Sequence, residues 1–123
     1  MCNNNGNCIS ELLEKILLIQ NINNNNQEGC SKPFLGGKIE NANTRPLNLY
    51  SCCTGTIWSM PYNYNSETGN STVFRIENVN DNYATFRILI PATTGYTSTD
   101  NFFTIDLKYI SCIKCLEDTL LNI

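Results

Sequence analysis

The chain contains no histidine. That absence removes the side chain most used as a general base near neutral pH, the commonest metal ligand, and every Ser-His or Cys-His nucleophile arrangement. Charge is also scarce, at 15% of residues against a usual value of about 25%. The eight basic residues are scattered from Lys15 to Lys114, and the net charge is −3. A phosphate backbone needs clustered Lys and Arg, so no nucleic-acid partner is expected. No apolar run approaches the roughly 18 to 20 residues of a membrane span, and no glycine-rich phosphate cradle or paired-acid motif is present. These absences argue against an enzyme, and no cofactor or resident metal is expected.

Asparagine, serine and threonine fill the space that charge leaves. Neutral polar surface with little net charge does little to keep copies of a protein apart. Against this background stand seven cysteines: Cys2, Cys8, Cys30, Cys52, Cys53, Cys112 and Cys115. The start of the chain has no basic region ahead of an apolar core, because Glu11, Glu14 and Lys15 interrupt the first apolar run. The expectation is synthesis in the cytoplasm without a signal peptide, in a protein nevertheless equipped for oxidation. An odd number of thiols leaves at least one free, modified or paired with another chain.

At 123 residues the chain has room for one domain. Residues 1–8 read as a flexible leader carrying Cys2 and Cys8, and residues 9–123 as a single unit. Ile9, Leu12, Leu13, Ile16, Leu17 and Ile19 recur at three- and four-residue spacing, which predicts an amphipathic helix over about 9–22. The asparagines from Asn21 onward end it. From about residue 33 to 123 β patterns dominate. Pro46 to Tyr50 and Thr56 to Met60 are short candidate strands, and Tyr62 to Ser71 reads as a surface loop. Thr72 to Asn78 and Tyr83 to Ile90 alternate around an Asn80-Asp81-Asn82 turn, which predicts a hairpin. Pro91 to Asn101 reads as a second polar loop, and Phe102 to Tyr109 as another alternating strand. The segment from Ile110 onward fits a strand or a short helix equally well. The expected fold is mainly β, an antiparallel sandwich or barrel-like domain with one N-terminal amphipathic helix.

The cysteines are the one constellation with chemistry. Cys112-Ile113-Lys114-Cys115 has C-x-x-C spacing, but a redox motif of that kind belongs at a helix start in a βαβ unit, and no such alternation exists here. A zinc site would have to be all-cysteine, with Cys30 and one of Cys52 or Cys53 completing Cys112 and Cys115. Cross-linking is the favoured role for all seven. They lie in the leader, beside loops or near the C-terminus, and none interrupts the stretch from Thr54 to Ser111. Several peripheral thiols per subunit supply the valence that a network requires.

Specific strings add a family likeness. Cys30 precedes Pro33-Phe34-Leu35-Gly36, and Asn43-Thr44-Arg45-Pro46 runs into Leu49-Tyr50. Val73-Phe74-Arg75-Ile76-Glu77-Asn78-Val79 is followed by Ala84, Arg87 and Leu89. Phe103-Thr104-Ile105-Asp106-Leu107 leads to Ile113-Lys114-Cys115-Leu116-Glu117-Asp118. In this order they resemble the spore coat proteins Y and Z and their exosporium relatives in spore-forming Firmicutes. The resemblance implies a structural protein of the spore surface, whether coat, crust or exosporium, made in the mother cell. It further implies self-assembly into a two-dimensional lattice, hexameric by analogy, that becomes disulfide cross-linked, with itself and other coat proteins as partners. The chain departs from that pattern in lacking histidine and in its adjacent Cys52-Cys53 pair. A soluble β-sandwich binding module with internal disulfides or a structural zinc site is the alternative.

Overall fold

A computed structural model describes residues 7–22 and 42–123. Cys2, Cys30 and the Pro33 to Gly36 segment lie outside the described residues. Helix α1 (Asn7–Ile22) buries Leu13, Ile16 and Ile19 completely and turns Leu18 outward, as the apolar spacing requires. Two buried polar side chains fix it to the sheet. Ser10 Oγ donates to the Asn80 carbonyl (3.1 Å), while Gln20 Nε2 donates to the Ile76 carbonyl (3.0 Å) and its Oε1 accepts from the Arg45 amide (3.1 Å). The helix starts at Asn7, so Cys8 belongs to its first turn rather than to the leader.

Seven strands follow. β1 (Leu47–Ser51), β4 (Val73–Val79), β5 (Tyr83–Pro91), β6 (Tyr96–Asp106) and β7 (Ile110–Cys115) form an antiparallel sheet in the order β6-β5-β4-β1-β7. β2 (Met60–Tyr64) and β3 (Glu67–Ser71) make a separate hairpin. The fold is thus mainly β with one N-terminal helix, as predicted, and the described strands close no barrel.

Two predicted loops are corrected. The Tyr62 to Ser71 segment is most of the β2–β3 hairpin, turned by Asn65 and Ser66 at φ 52° and 70°. Positive φ at both central residues matches the right-handed twist of the flanking strands. Tyr62 lies opposite Gly69, where an added Cβ would come within 2.7 Å of the tyrosine hydroxyl, so the glycine makes room for the ring. The predicted loop from Pro91 to Asn101 shrinks to a turn closed by Ala92 N–H donating to the Gly95 carbonyl, with Gly95 at φ 73°. Beyond it β6 begins at Tyr96. Polar residues such as Thr97 and Ser98 give no apolar alternation, yet pairing with Ile90 and Leu89 makes them strand. Conversely, the predicted strand Thr56 to Met60 is reduced to one bridge between Tyr50 and Ile57, with β2 starting only at Met60.

Alternation along β1, β4 and β5 sends Leu47, Leu49, Phe74, Ile76, Ala84, Phe86 and Ile88 to one face, where Leu13 and Ile16 of α1 join them in a single core. Phe103 of β6 stands edge-on to Phe74 (centroids 4.9 Å) and stacks on Phe86 (5.5 Å). Trp58, Met60 and Tyr62 extend that cover. The opposite face is also closed. There Val73, Leu89 and Leu121 form a small apolar cluster, with Tyr96 and Leu116 against it. The segment before β1 and the C-terminal tail lie together over this face, joined by the Thr44–Thr119 bridge.

Candidate cross-linking site

Of the seven cysteines, Cys52, Cys53 and Cys112 are free and exposed among the described residues. Cys8 and Cys115 are not in that set, because each is already engaged. The C-x-x-C motif lies on β7. Residues three apart on a strand point to opposite faces. Cys115 packs against the apolar core beside Leu47, its register partner, whereas Cys112 pairs with Tyr50 and is exposed. The two sulfurs therefore serve different surfaces and cannot act as a dithiol or grip one ion without rebuilding the strand. No group of three His, Cys, Asp or Glu converges among the described residues.

Cys52 and Cys53 occupy the turn that follows β1. A set of hydrogen bonds defines the turn. Ser51 N–H donates to the Thr56 carbonyl (2.9 Å), Gly55 N–H to the Ser51 carbonyl (2.9 Å), and Cys53 N–H to Ser51 Oγ (3.2 Å). The Thr54 and Thr56 hydroxyls meet at 2.7 Å, and Cys52 N–H donates to the Tyr109 carbonyl (2.9 Å), tying the turn to the start of β7. Gly55 sits at φ 70°, a conformation that favours glycine. The outcome is that the two Sγ atoms lie 3.3 Å apart in solvent. Cys52 is raised above its usual thiol value, chiefly by its hydrogen bond with Cys53, then by desolvation and the neighbouring charge. On β7, Ser111 Oγ lies within hydrogen-bonding reach of the Tyr50 and Ser51 carbonyls, which places Cys112 beside the base of the same turn. All three thiols thus project from the end of β1 and from edge strand β7, clear of the core.

A second assembly escaped sequence reasoning. Arg45 and Asp118 form a bidentate ion pair (2.7 and 3.0 Å), with side chains 3% and 1% exposed. Arg75 donates to Thr44 Oγ1 (2.8 Å), to the Asn43 carbonyl (3.0 Å) and to Glu77 Oε2 (2.8 Å). Arg75 and Arg87 are direct register partners on β4 and β5, an arrangement that repels. Glu77 Oε2 relieves it by accepting from Arg87 Nε as well (2.8 Å). Arg87 also donates to the Thr99 carbonyl and lies 4.5 Å from the Phe102 ring centroid. Asn43 holds the C-terminal tail through its side chain, which donates to the Leu121 carbonyl and accepts from its amide.

These contacts join segments far apart in the chain. Asn43-Thr44-Arg45, Arg75 with Glu77, Arg87 and Asp118 all belong to the strings quoted above, and the fold gathers them on one face of the sheet. The family described as Spore coat protein Z matches residues 2–101. The chain belongs to that family. No curated protein and no solved structure matches it. Membership makes the protein a structural component of the spore coat, at the spore's surface layer, with interactions inside the coat. No described helix is long and apolar enough to cross a membrane.

A shallow cleft of about 410 Å³ lies beside this polar layer, lined by Pro91, Ala92, Gly95, Tyr96, Glu117, Asp118 and Thr119. Burial, and then the charge of Glu117, raise Tyr96 above the ordinary tyrosine value. Asp118 is committed to Arg45, so the cleft offers no pair of carboxylates poised for acid and base roles.

Proposed function

We propose that this spore coat protein is a non-enzymatic lattice subunit whose copies assemble into a two-dimensional layer held by disulfides between chains. The observation that carries this role is the placement of three free thiols, Cys52, Cys53 and Cys112, on the outside of a closed core. A thiol so placed gains nothing for its own fold and is open to a neighbour. β7 is an edge strand, and an edge presents unpaired backbone groups to a second chain. A cyclic oligomer, hexameric by family analogy, whose closed rings contact one another would build such a layer. Synthesis in the mother cell, followed by oxidation as the layer matures, reconciles a cytoplasmic origin with abundant cysteine.

Gel electrophoresis with and without reductant, with negative-stain microscopy of the same samples, tests the role. Multimer ladders that collapse on reduction, together with periodic sheets or tubes, are expected. A monomer at high concentration with six of its seven cysteines paired internally, or that carries one zinc ion, would instead identify a soluble binding module. Replacing Cys112 by Ser should remove the bands contributed by the β7 edge.

A further inference from the structure

We propose that Cys52 and Cys53 form a thiol–disulfide exchange site that accepts a disulfide from another molecule and resolves it into a bond between the two neighbouring sulfurs. Two thiols 3.3 Å apart in solvent, on a turn hydrogen-bonded from both sides, are already close to the contact that such a bond requires. Cys112 provides the contrast on the same side of the molecule. It is free and exposed, but among the described residues the sulfur–sulfur contact belongs to Cys52 and Cys53 and not to Cys112.

The chemistry balances without an added oxidant. The thiolate of one cysteine attacks an incoming disulfide R–S–S–R′, and R–S⁻ leaves and takes up a proton. The second cysteine loses its proton to solvent and its sulfur attacks the resulting mixed disulfide. The Cys52 Sγ–Cys53 Sγ bond forms, and R′–S⁻ leaves and is protonated. The incoming disulfide is reduced to two thiols while the pair loses two electrons and two protons. Exchange of this kind depends on thiolate access and on the leaving thiol, and the turn supplies the access.

Adjacent Cα atoms are only about 3.8 Å apart, below the roughly 4.4–6.8 Å common for disulfides, so the closed form is readily reduced again. The site therefore makes exchangeable ties rather than durable ones. A cross-link captured here is handed back as free thiol, whereas one captured at Cys112 persists. This goes beyond the lattice role and stands on the geometry of one turn. Its test needs no assembly, so a chain that never forms sheets would leave it intact.

The probe is Ellman's reagent, an aromatic disulfide, applied to the full-length protein and followed by tryptic mass spectrometry. Peptide 39–75 contains Cys52 and Cys53 as its only cysteines, and peptide 109–114 contains Cys112 alone. The expected result is peptide 39–75 with no adduct and two hydrogens lighter, and peptide 109–114 with one adduct. Cys52→Ser and Cys53→Ser should each leave one stable adduct on peptide 39–75, with Cys112 labelled as before. A wild-type peptide 39–75 carrying one or two retained adducts, or failing to react while Cys112 reacts, would overturn the proposal.

Discussion

One face of the five-stranded sheet is closed by apolar side chains from the helix and the β2–β3 hairpin; the other is closed largely by arginines, a glutamate and an aspartate beneath the chain's own tail. The two covers are buried by different means. Apolar contacts are non-directional and tolerate rearrangement as long as volume is kept. The polar layer works only while each charge keeps its partner, because an uncompensated buried charge is far costlier than a lost methylene. The first cover gives cohesion. The second fixes which distant segments meet.

The contrast predicts a ranking of substitutions. Phe74→Ala should cost about 3–5 kcal/mol in urea unfolding, since the ring is fully buried and contacts both Phe86 and Phe103. Asp118→Ala should cost a similar ~3–5 kcal/mol by stranding Arg45. Combining Arg45→Met with Asp118→Leu should recover most of that loss, because an apolar pair carries no desolvation penalty. If the double variant is no better than the single one, the polar layer is not governed by its charges. Next comes Glu77→Gln, expected to cost about 1.5–3 kcal/mol by leaving Arg75 and Arg87 opposed across the strands. Added salt should shrink that loss, which would separate it from a packing defect. Thr85→Ala should be smaller still, about 0.2–1 kcal/mol, because the Thr85–Thr104 hydroxyl pair is exposed.

The mildest effect concerns Tyr96, whose raised value means that the folded state favours its protonated form. That contribution is fully present below the unfolded tyrosine value of 10.0 and is lost as pH rises through the raised folded value. Wild type should therefore lose slightly more thermal stability than Tyr96→Phe across the alkaline range. Parallel melting curves for the two proteins would discount a role for burial there.

The apolar face was largely legible in the sequence. Helical spacing marked Leu13 and Ile16, and alternation marked Phe74, Ile76, Phe86 and Ile88, because burial on one side leaves a period that a single chain displays. The family strings were legible too, but not their purpose. Nothing local couples Arg45 to Asp118, 73 positions apart, and an arginine in an alternating strand reads as a solvated face. The hairpin at Tyr62 to Ser71 was missed for a related reason: its polar residues carry no apolar period, and the turn at Asn65-Ser66 lacks the glycine that usually signals one.

By itself the sequence determined the mainly β class, the helix and the shortage of catalytic groups, since each follows from composition or short-range period. Only the tertiary structure decided which thiols are free and which serve one surface. Strand geometry sends Cys112 and Cys115 apart although they are three residues from each other, and a hydrogen-bonded turn brings Cys52 and Cys53 together in solvent. The direction of a sulfur is set by the backbone that carries it, and that backbone takes its shape from partners distant in the chain.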